Sequence, residues 1–195
     1  MSSTIKASTT STSSGSGSGS GDTQRAHFSH FDVTEQVFLR TPHALGIVNI
    51  KPIVPGHILL IPPSPNITRL SNLPAPSIGP FFTTLQLVVS RLEEAMGATA
   101  CTVAVQDGRD SGQTVEHLHV HVLPRRKGDF TPSDAVYAEL EKWGFDATTG
   151  KRPSSAAAGV EKQGGPDDED RPPRTREELL AETEWLRKLF RDVQE

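Results

Sequence analysis

The sequence predicts an α+β fold: one antiparallel sheet of about five strands, a long helix on one face and a C-terminal helix. Three observations carry this. The β-type runs follow one another instead of alternating with helices, as the strands of a parallel sheet would. One long segment switches from a period of two to a period of three and four. A second helical pattern, with its own start signal, closes the chain.

Val37, Leu39 and the run Ala44 to Asn49 mix β-branched and apolar residues, and His57 to Ile61 does so again after the turn signals Lys51-Pro52 and Pro55-Gly56. These are read as successive strands of a meander. From Ser77 to Gly97, Ile78, Phe81, Phe82, Leu85, Val88, Val89, Leu92 and Met96 form one stripe while Arg91, Glu93 and Glu94 lie off it. That is an amphipathic helix, ended by Gly97. Thr99 to Gln106 and Glu116 to Leu123 return to alternation around the turn-rich stretch 107–112, and are read as the two central strands. Thr175, followed three residues on by Glu178, has the pattern of a capping box before Leu179, Leu180, Trp185, Leu186, Leu189 and Phe190.

Composition sets the limits around this core. Residues 1–22 contain 9 Ser, 4 Thr and 4 Gly, which offer little to bury and much backbone entropy to lose, so a disordered tail is expected. Residues 146–174 hold Thr-Thr-Gly, Gly164-Gly165-Pro166 and an acidic run without periodicity, and are read as a flexible insertion. The expected organisation is therefore a domain over 23–145, with residues 175–195 supplying a helix that packs back on it. The 195 residues carry 20 Lys and Arg against 24 Asp and Glu, so no basic excess marks a nucleic-acid or anionic-membrane surface. The longest apolar run is far shorter than the roughly 20 residues of a bilayer helix, and no secretory leader pattern opens the sequence. With Cys101 the only cysteine, a reducing compartment, cytoplasmic and also nuclear, is expected.

The informative segment is His117-Leu118-His119-Val120-His121-Val122-Leu123-Pro124. On a strand, three histidines at i, i+2 and i+4 share one face while Leu118, Val120 and Val122 bury the other, so a row of imidazoles is expected to line a surface. Packing alone rarely calls for three alternating polar residues. Two chemistries use such a row. Neutral imidazole is a common zinc ligand, but the outer Cα atoms stand about 13 Å apart at strand rise, which converges poorly on one ion. Alternatively the row is a phosphate channel in which one histidine attacks phosphorus and its neighbours donate to non-bridging oxygens.

These residues resemble the histidine-triad (HIT) hydrolases, with motif His-x-His-x-His-x-x, and within them the fragile-histidine-triad branch. The resemblance extends through Asn49 to His57, Gln106-Asp107-Gly108, Gly112 to His117, Leu123 to Arg126 and Gly128-Asp129-Phe130. It covers about Phe28 to Tyr137 and, more weakly, the C-terminal helix. It implies hydrolysis of dinucleoside polyphosphates, diadenosine triphosphate above all, to AMP plus the remaining nucleotide. It also implies a homodimer whose two sheets join edge to edge.

Carried over position by position, the resemblance makes His119 the nucleophile that becomes a phosphohistidine intermediate. His117 and His121 become its polar neighbours, and His57 supports them from behind. Gln106 is implied at the oxygens near the scissile bond. Gly112, Gln113, Thr114 and Val115 follow along the phosphate chain, with Asn49 at a ribose hydroxyl and His30 near the base. Tyr137 matches a tyrosine that the branch carries as a phosphorylation site. Asp107 and Asp110 are read as turn formers, not metal ligands. The divalent cation, Mg²⁺ or Mn²⁺, is expected to arrive chelated to the polyphosphate, with Arg125 and Arg126 steering that anion. Two other functions compete: a purine nucleoside phosphoramidase using the same intermediate, and a nucleotide-binding signalling module whose output is the bound complex.

Overall fold

The computed structural model describes residues 25–142 and 173–193. The expected tail at 1–22 and all but the end of the expected insertion lie outside the described residues. The elements in chain order are β1 (His27–Phe28), β2 (Phe31–Asp32), β3 (Val37–Arg40), β4 (Leu45–Val48), β5 (Ile58–Ile61), α1 (Ala75–Met96), β6 (Ala100–Ala104), β7 (Val120–Arg125), α2 (Ala135–Lys142) and α3 (Arg176–Leu189). Strands β3 to β7 form one antiparallel sheet in the order β3-β4-β5-β7-β6, and β1 pairs with β2 as a separate hairpin. The α+β class and the five-stranded sheet are as the sequence predicts. The hairpin and α2 are additions, too short to leave a periodic signal.

One sheet face is the main core. Phe38, Val48, Ile58, Leu60, Val120 and Val122 pack there under Phe81, Val88 and Leu92 of α1 and Leu179 and Leu186 of α3. Each such fully buried side chain contributes roughly 1.5–3 kcal/mol by removal from water. The first turn of α1 accommodates Pro76, whose missing N–H would be unpaired there in any case. The helix ends at Gly97, which takes the left-handed conformation at φ +60°. α3 starts with the predicted capping box, Thr175 and Glu178 each satisfying the other's backbone N–H. It docks through Phe190 against Phe38, ring centroids 5.3 Å apart.

The opposite face carries the site. Residues that register directly across an antiparallel ladder share a face. His121 sits opposite Leu59 of β5 and Ala104 of β6. On that face, Val37, Leu45, Ile47, Leu59 and Ile61 pack with Ala26, Phe28 and Val33 of the hairpin region. Leu123 packs with Val136 and Leu140 of α2. The histidine row lies between these two apolar clusters.

Two expectations need correction. The stretch Thr99 to Gln106 is an edge strand, since β7 has β5 on its other side, and Val103 is 45% exposed. Alternation marks which side chains are buried, not how many neighbours the backbone has. The stretch from Glu116 joins the sheet only at Val120. Before that, His117 N–H donates to the Val115 carbonyl and Leu118 N–H to the Ile67 carbonyl, outside the ladder.

Candidate active site

His117, His119 and His121 are 0%, 1% and 0% exposed, so the row is buried and does not line an open surface as expected. The reason is the hairpin. The Phe28 ring lies 5.5 Å from His117 and 5.2 Å from His119, centroid to centroid. Burial without charge compensation disfavours the imidazolium. Desolvation lowers the pKa of His117 to about 4, although the Pro62 carbonyl opposes it. His119 is shifted down mainly by desolvation, and His121 well down by desolvation and then by His57 and His119. All three are neutral at pH 7.

In a neutral imidazole one nitrogen donates and the other accepts, so each backbone partner fixes a tautomer. Nδ1–H of His119 donates to the His117 carbonyl at 2.7 Å, which leaves the lone pair on Nε2. His121 has the opposite arrangement. The Ile53 N–H donates to Nδ1 of His57 at 3.1 Å, so His57 carries its proton on Nε2 and donates it to Nδ1 of His121 at 3.0 Å. His121 therefore carries its proton on Nε2. With the rings of His119 and His121 only 5.1 Å apart, the row sets a lone pair beside a proton donor.

His117 does something different from the donor role expected of it. The Ser29 N–H donates to its Nδ1 at 3.0 Å, and its Nε2–H donates to the Pro62 carbonyl at 3.0 Å. Both nitrogens are used within the protein, and its contribution to His119 is the carbonyl. Gln113 also turns inward. Its Oε1 accepts from Gly108 N–H at 2.8 Å, and its amide donates to the carbonyls of Thr68 and His117. A buried amide takes every partner in reach, and here those partners are backbone groups of its own loop. Gly112, at φ +87°, brings backbone against Gln106, whose Nε2 would stand 2.7 Å from any added Cβ. Gln106 Nε2 donates to the Leu140 carbonyl at 3.4 Å.

Thr114 is half-buried, and among the described residues its hydroxyl has no hydrogen-bond partner. Val115 packs against the hairpin cluster. Asn49 is buried, with its Nδ2 3.3 Å from both ring nitrogens of His57 and its Oδ1 accepting from Lys51 N–H. His30 is exposed on the hairpin turn with its ring on Phe31, and its neighbour Ser29 is the residue that reaches the row. Tyr137 is 55% exposed on α2. Asp107 is bound by Arg69 and by Leu70 N–H, consistent with a turn former. Arg125 is not directed at an incoming anion: it is half-buried and holds Asp129, Thr102 and the Ser133 carbonyl. Arg126 is exposed and donates to the Met96 carbonyl. Among the described residues no group of three or more His, Cys, Asp and Glu could hold a metal ion, and no described helix is long and apolar enough to cross a membrane.

The parts that fix the tautomers, namely Ser29 N–H, Ile53 N–H and the carbonyls of Pro62 and His117, are backbone groups that no residue type announces. Phe28, the ring that buries His119, carried a signal only as one apolar residue of a two-residue strand.

A five-stranded antiparallel sheet with a buried, alternating histidine row beside its second strand from the edge defines the class as histidine-triad. The HIT domain model matches residues 30–128, and the chain belongs to that family. It is similar to a bis(5'-nucleosyl)-tetraphosphatase (asymmetrical) of Schizosaccharomyces pombe, 40% identical over an aligned length of 184 residues, with 88% of this chain and 98% of that one covered. It is also 41% identical over 122 residues to a bis(5'-adenosyl)-triphosphatase of Saccharomyces cerevisiae, a match that takes in 63% of this chain and 59% of that protein. A bis(5'-adenosyl)-triphosphatase of Dictyostelium discoideum is 32% identical across 80% of this chain and 87% of its own. Among solved structures, the NitFhit protein of C. elegans superposes with a TM-score of 0.62 at 29% identity, covering 87% of this chain and 31% of that one. The Plasmodium falciparum diadenosine triphosphate hydrolase has the same TM-score at 20% identity and shares the fold.

Proposed function

We propose that this protein hydrolyses dinucleoside polyphosphates, diadenosine triphosphate foremost, to AMP and the remaining nucleotide through a nucleotidyl-histidine. The observation that carries the reading is the pair of opposite tautomers: a lone pair on Nε2 of His119 beside a proton on Nε2 of His121. Relatives named for diadenosine triphosphate and dinucleoside tetraphosphate hydrolysis support the substrate class. In the first step Nε2 of His119 attacks the α-phosphorus in line, the P–O bond to the bridging oxygen breaks, and ADP leaves from diadenosine triphosphate. The Nε2–H of His121 donates to the oxygens on which charge develops. Water then attacks the phosphohistidine and releases AMP, so one water is consumed per turnover.

The divalent cation, Mg²⁺ or Mn²⁺, belongs in this reading to the polyphosphate and enters with it. The protein acts as a homodimer, in which the edge strand β6, with Val103 outward, meets its counterpart in a second copy. Its compartment is the cytoplasm, with the nucleus as a second location. A hydrolysis panel of diadenosine tri- and tetraphosphate, adenosine phosphoramidate and ATP, with products identified, tests the function. Release of AMP and ADP from the triphosphate as the fastest reaction is expected. Preference for the phosphoramidate would transfer the protein to the nucleoside phosphoramidase reading, and tight binding without turnover would favour a signalling module.

A further inference from the structure

The loop 49–57 does more for the site than any other segment outside the histidine row. It carries Asn49, the Ile53 N–H that sets the His57 tautomer, the Val54 carbonyl that accepts from His57 N–H at 3.1 Å, and His57 itself. Nothing in the loop's sequence explains why it holds this shape, because it has two prolines and only short-range bonds of its own. Its two ends are held from elsewhere. At one end, Arg174 N–H donates to the Ile50 carbonyl at 2.9 Å and the Arg174 guanidinium reaches the Asn49 carbonyl at 3.4 Å. At the other, the Glu182 carboxylate on α3 lies beside the Gly56 backbone amide, and the two residues line one cavity with Arg174. Arg174 and Glu182 are ion-paired with each other, their side chains 15% and 16% exposed. Largely shielded from water, the pair can act as a rigid strut in a way an exposed pair could not.

We infer that the Arg174–Glu182 pair is a positioning device for the site: it brackets the loop 49–57 from outside and thereby sets the His57 tautomer that orients His121. Both residues lie beyond the part of the chain that matches the family model, 30–128. α3 thus serves the chemistry and is not only a packing helix. The inference rests on the proposed function for its activity readout, but the tautomer can be read without substrate.

The test compares Arg174→Ala, Glu182→Ala and the milder Arg174→Lys and Glu182→Gln with the full-length wild type. Glu182→Gln keeps an acceptor beside the Gly56 amide and loses the charge. The control is Arg91→Ala, which removes a different tie to α3, namely the bonds to Asp192 and to the Leu189 carbonyl. Imidazole ¹⁵N spectra are expected to show His57 protonated on Nε2 alone in wild type and in Arg91→Ala. The two alanine variants should show it distributed over both nitrogens, with His119 unchanged. Turnover of diadenosine triphosphate should fall about tenfold in kcat in each alanine variant, in line with the cost of small misplacements. The double variant should lose no more than either single one, because the pair acts as a unit. The lysine and glutamine variants should fall between and remain folded. A wild-type His57 spectrum in these two milder variants and in any alanine variant that folds, or an equal kcat loss in Arg91→Ala, overturns the inference. If wild type hydrolyses no dinucleoside polyphosphate, the proposed function fails while the ¹⁵N spectra still decide the tautomer.

Discussion

The ring of Phe28 stands edge-on to the imidazole of His119, centroids 5.2 Å apart and planes at 87°. A residue from the first strand of the described chain thus covers the lone-pair histidine of a segment about ninety positions later, and its removal lets water in. Phe28→Ala should raise the His119 pKa toward its ordinary value, since desolvation is the chief cause of its depression. It should also cost about 3 kcal/mol of stability through the emptied hairpin cluster. An NMR pH titration of His119 and urea unfolding measure the two effects. An unmoved His119 titration would mean that other groups keep the ring dry.

His119→Asn should abolish turnover while leaving much of the binding, because asparagine keeps a polar side chain in the row but cannot form the intermediate. His121→Asn removes one donor, and by analogy with the loss of an oxyanion donor should slow chemistry by about 10²–10³-fold. Acid- and base-quench experiments with radiolabelled diadenosine triphosphate, looking for an acid-labile adduct, separate the two. Turnover of His119→Asn within tenfold of wild type would remove His119 as nucleophile.

Acid should unfold the protein through its histidines before its carboxylates. His117 has a folded pKa near 4 against an ordinary value of 6.5, so the unfolded chain takes up its proton first as pH falls. The stabilisation is therefore present above pH 6.5 and is lost as pH drops through 4, on the order of 3 kcal/mol for this group alone. His119 and His121 shift in the same direction and add to it. Urea midpoints at pH 7, 6, 5 and 4.5 should fall steadily, and a flat series down to pH 5 contradicts the assignment. The acid limb of kcat/KM should lie below the pH of an ordinary histidine, because burial lowers the pKa of His119, the proposed nucleophile.

Val103→Lys places a charge on the exposed strand β6 and should shift the proposed dimer to monomer. Sedimentation of both proteins at micromolar concentration reads this directly. A wild type that sediments at 21.1 kDa would refute the proposed edge-to-edge dimer.

The parts of this molecule legible in the sequence are those in which side-chain chemistry repeats. The α1 stripe, the Thr175–Glu178 cap and the His117–His119–His121 alternation each state their structure in residue types. What stayed hidden was of two kinds. The edge position of β6 depends on which strand pairs with which, and alternation of Thr99 to Gln106 is the same at an edge as in the middle. The division of labour within the row depends on backbone groups, so His117 and His121, equivalent as letters, differ because one meets Ser29 N–H and Pro62 and the other meets His57. Gln113 follows the same rule, since its partners are the backbone of Gly108, Thr68 and His117.

The contacts between Ser29 and His117 and between Arg174 and Ile50 span 88 and 124 positions. Pairings this distant close late, after the chain has lost the entropy of long loops. During synthesis the sheet can form once β7 has left the ribosome, yet the loop beside His57 still waits for Arg174 and Glu182, about fifty residues further on. A nascent or prematurely terminated chain would hold its histidines in a folded sheet without the geometry to use them. Under the proposed role of that pair, the reactivity of the row is tied to the docking of α3 and not to closure of the sheet.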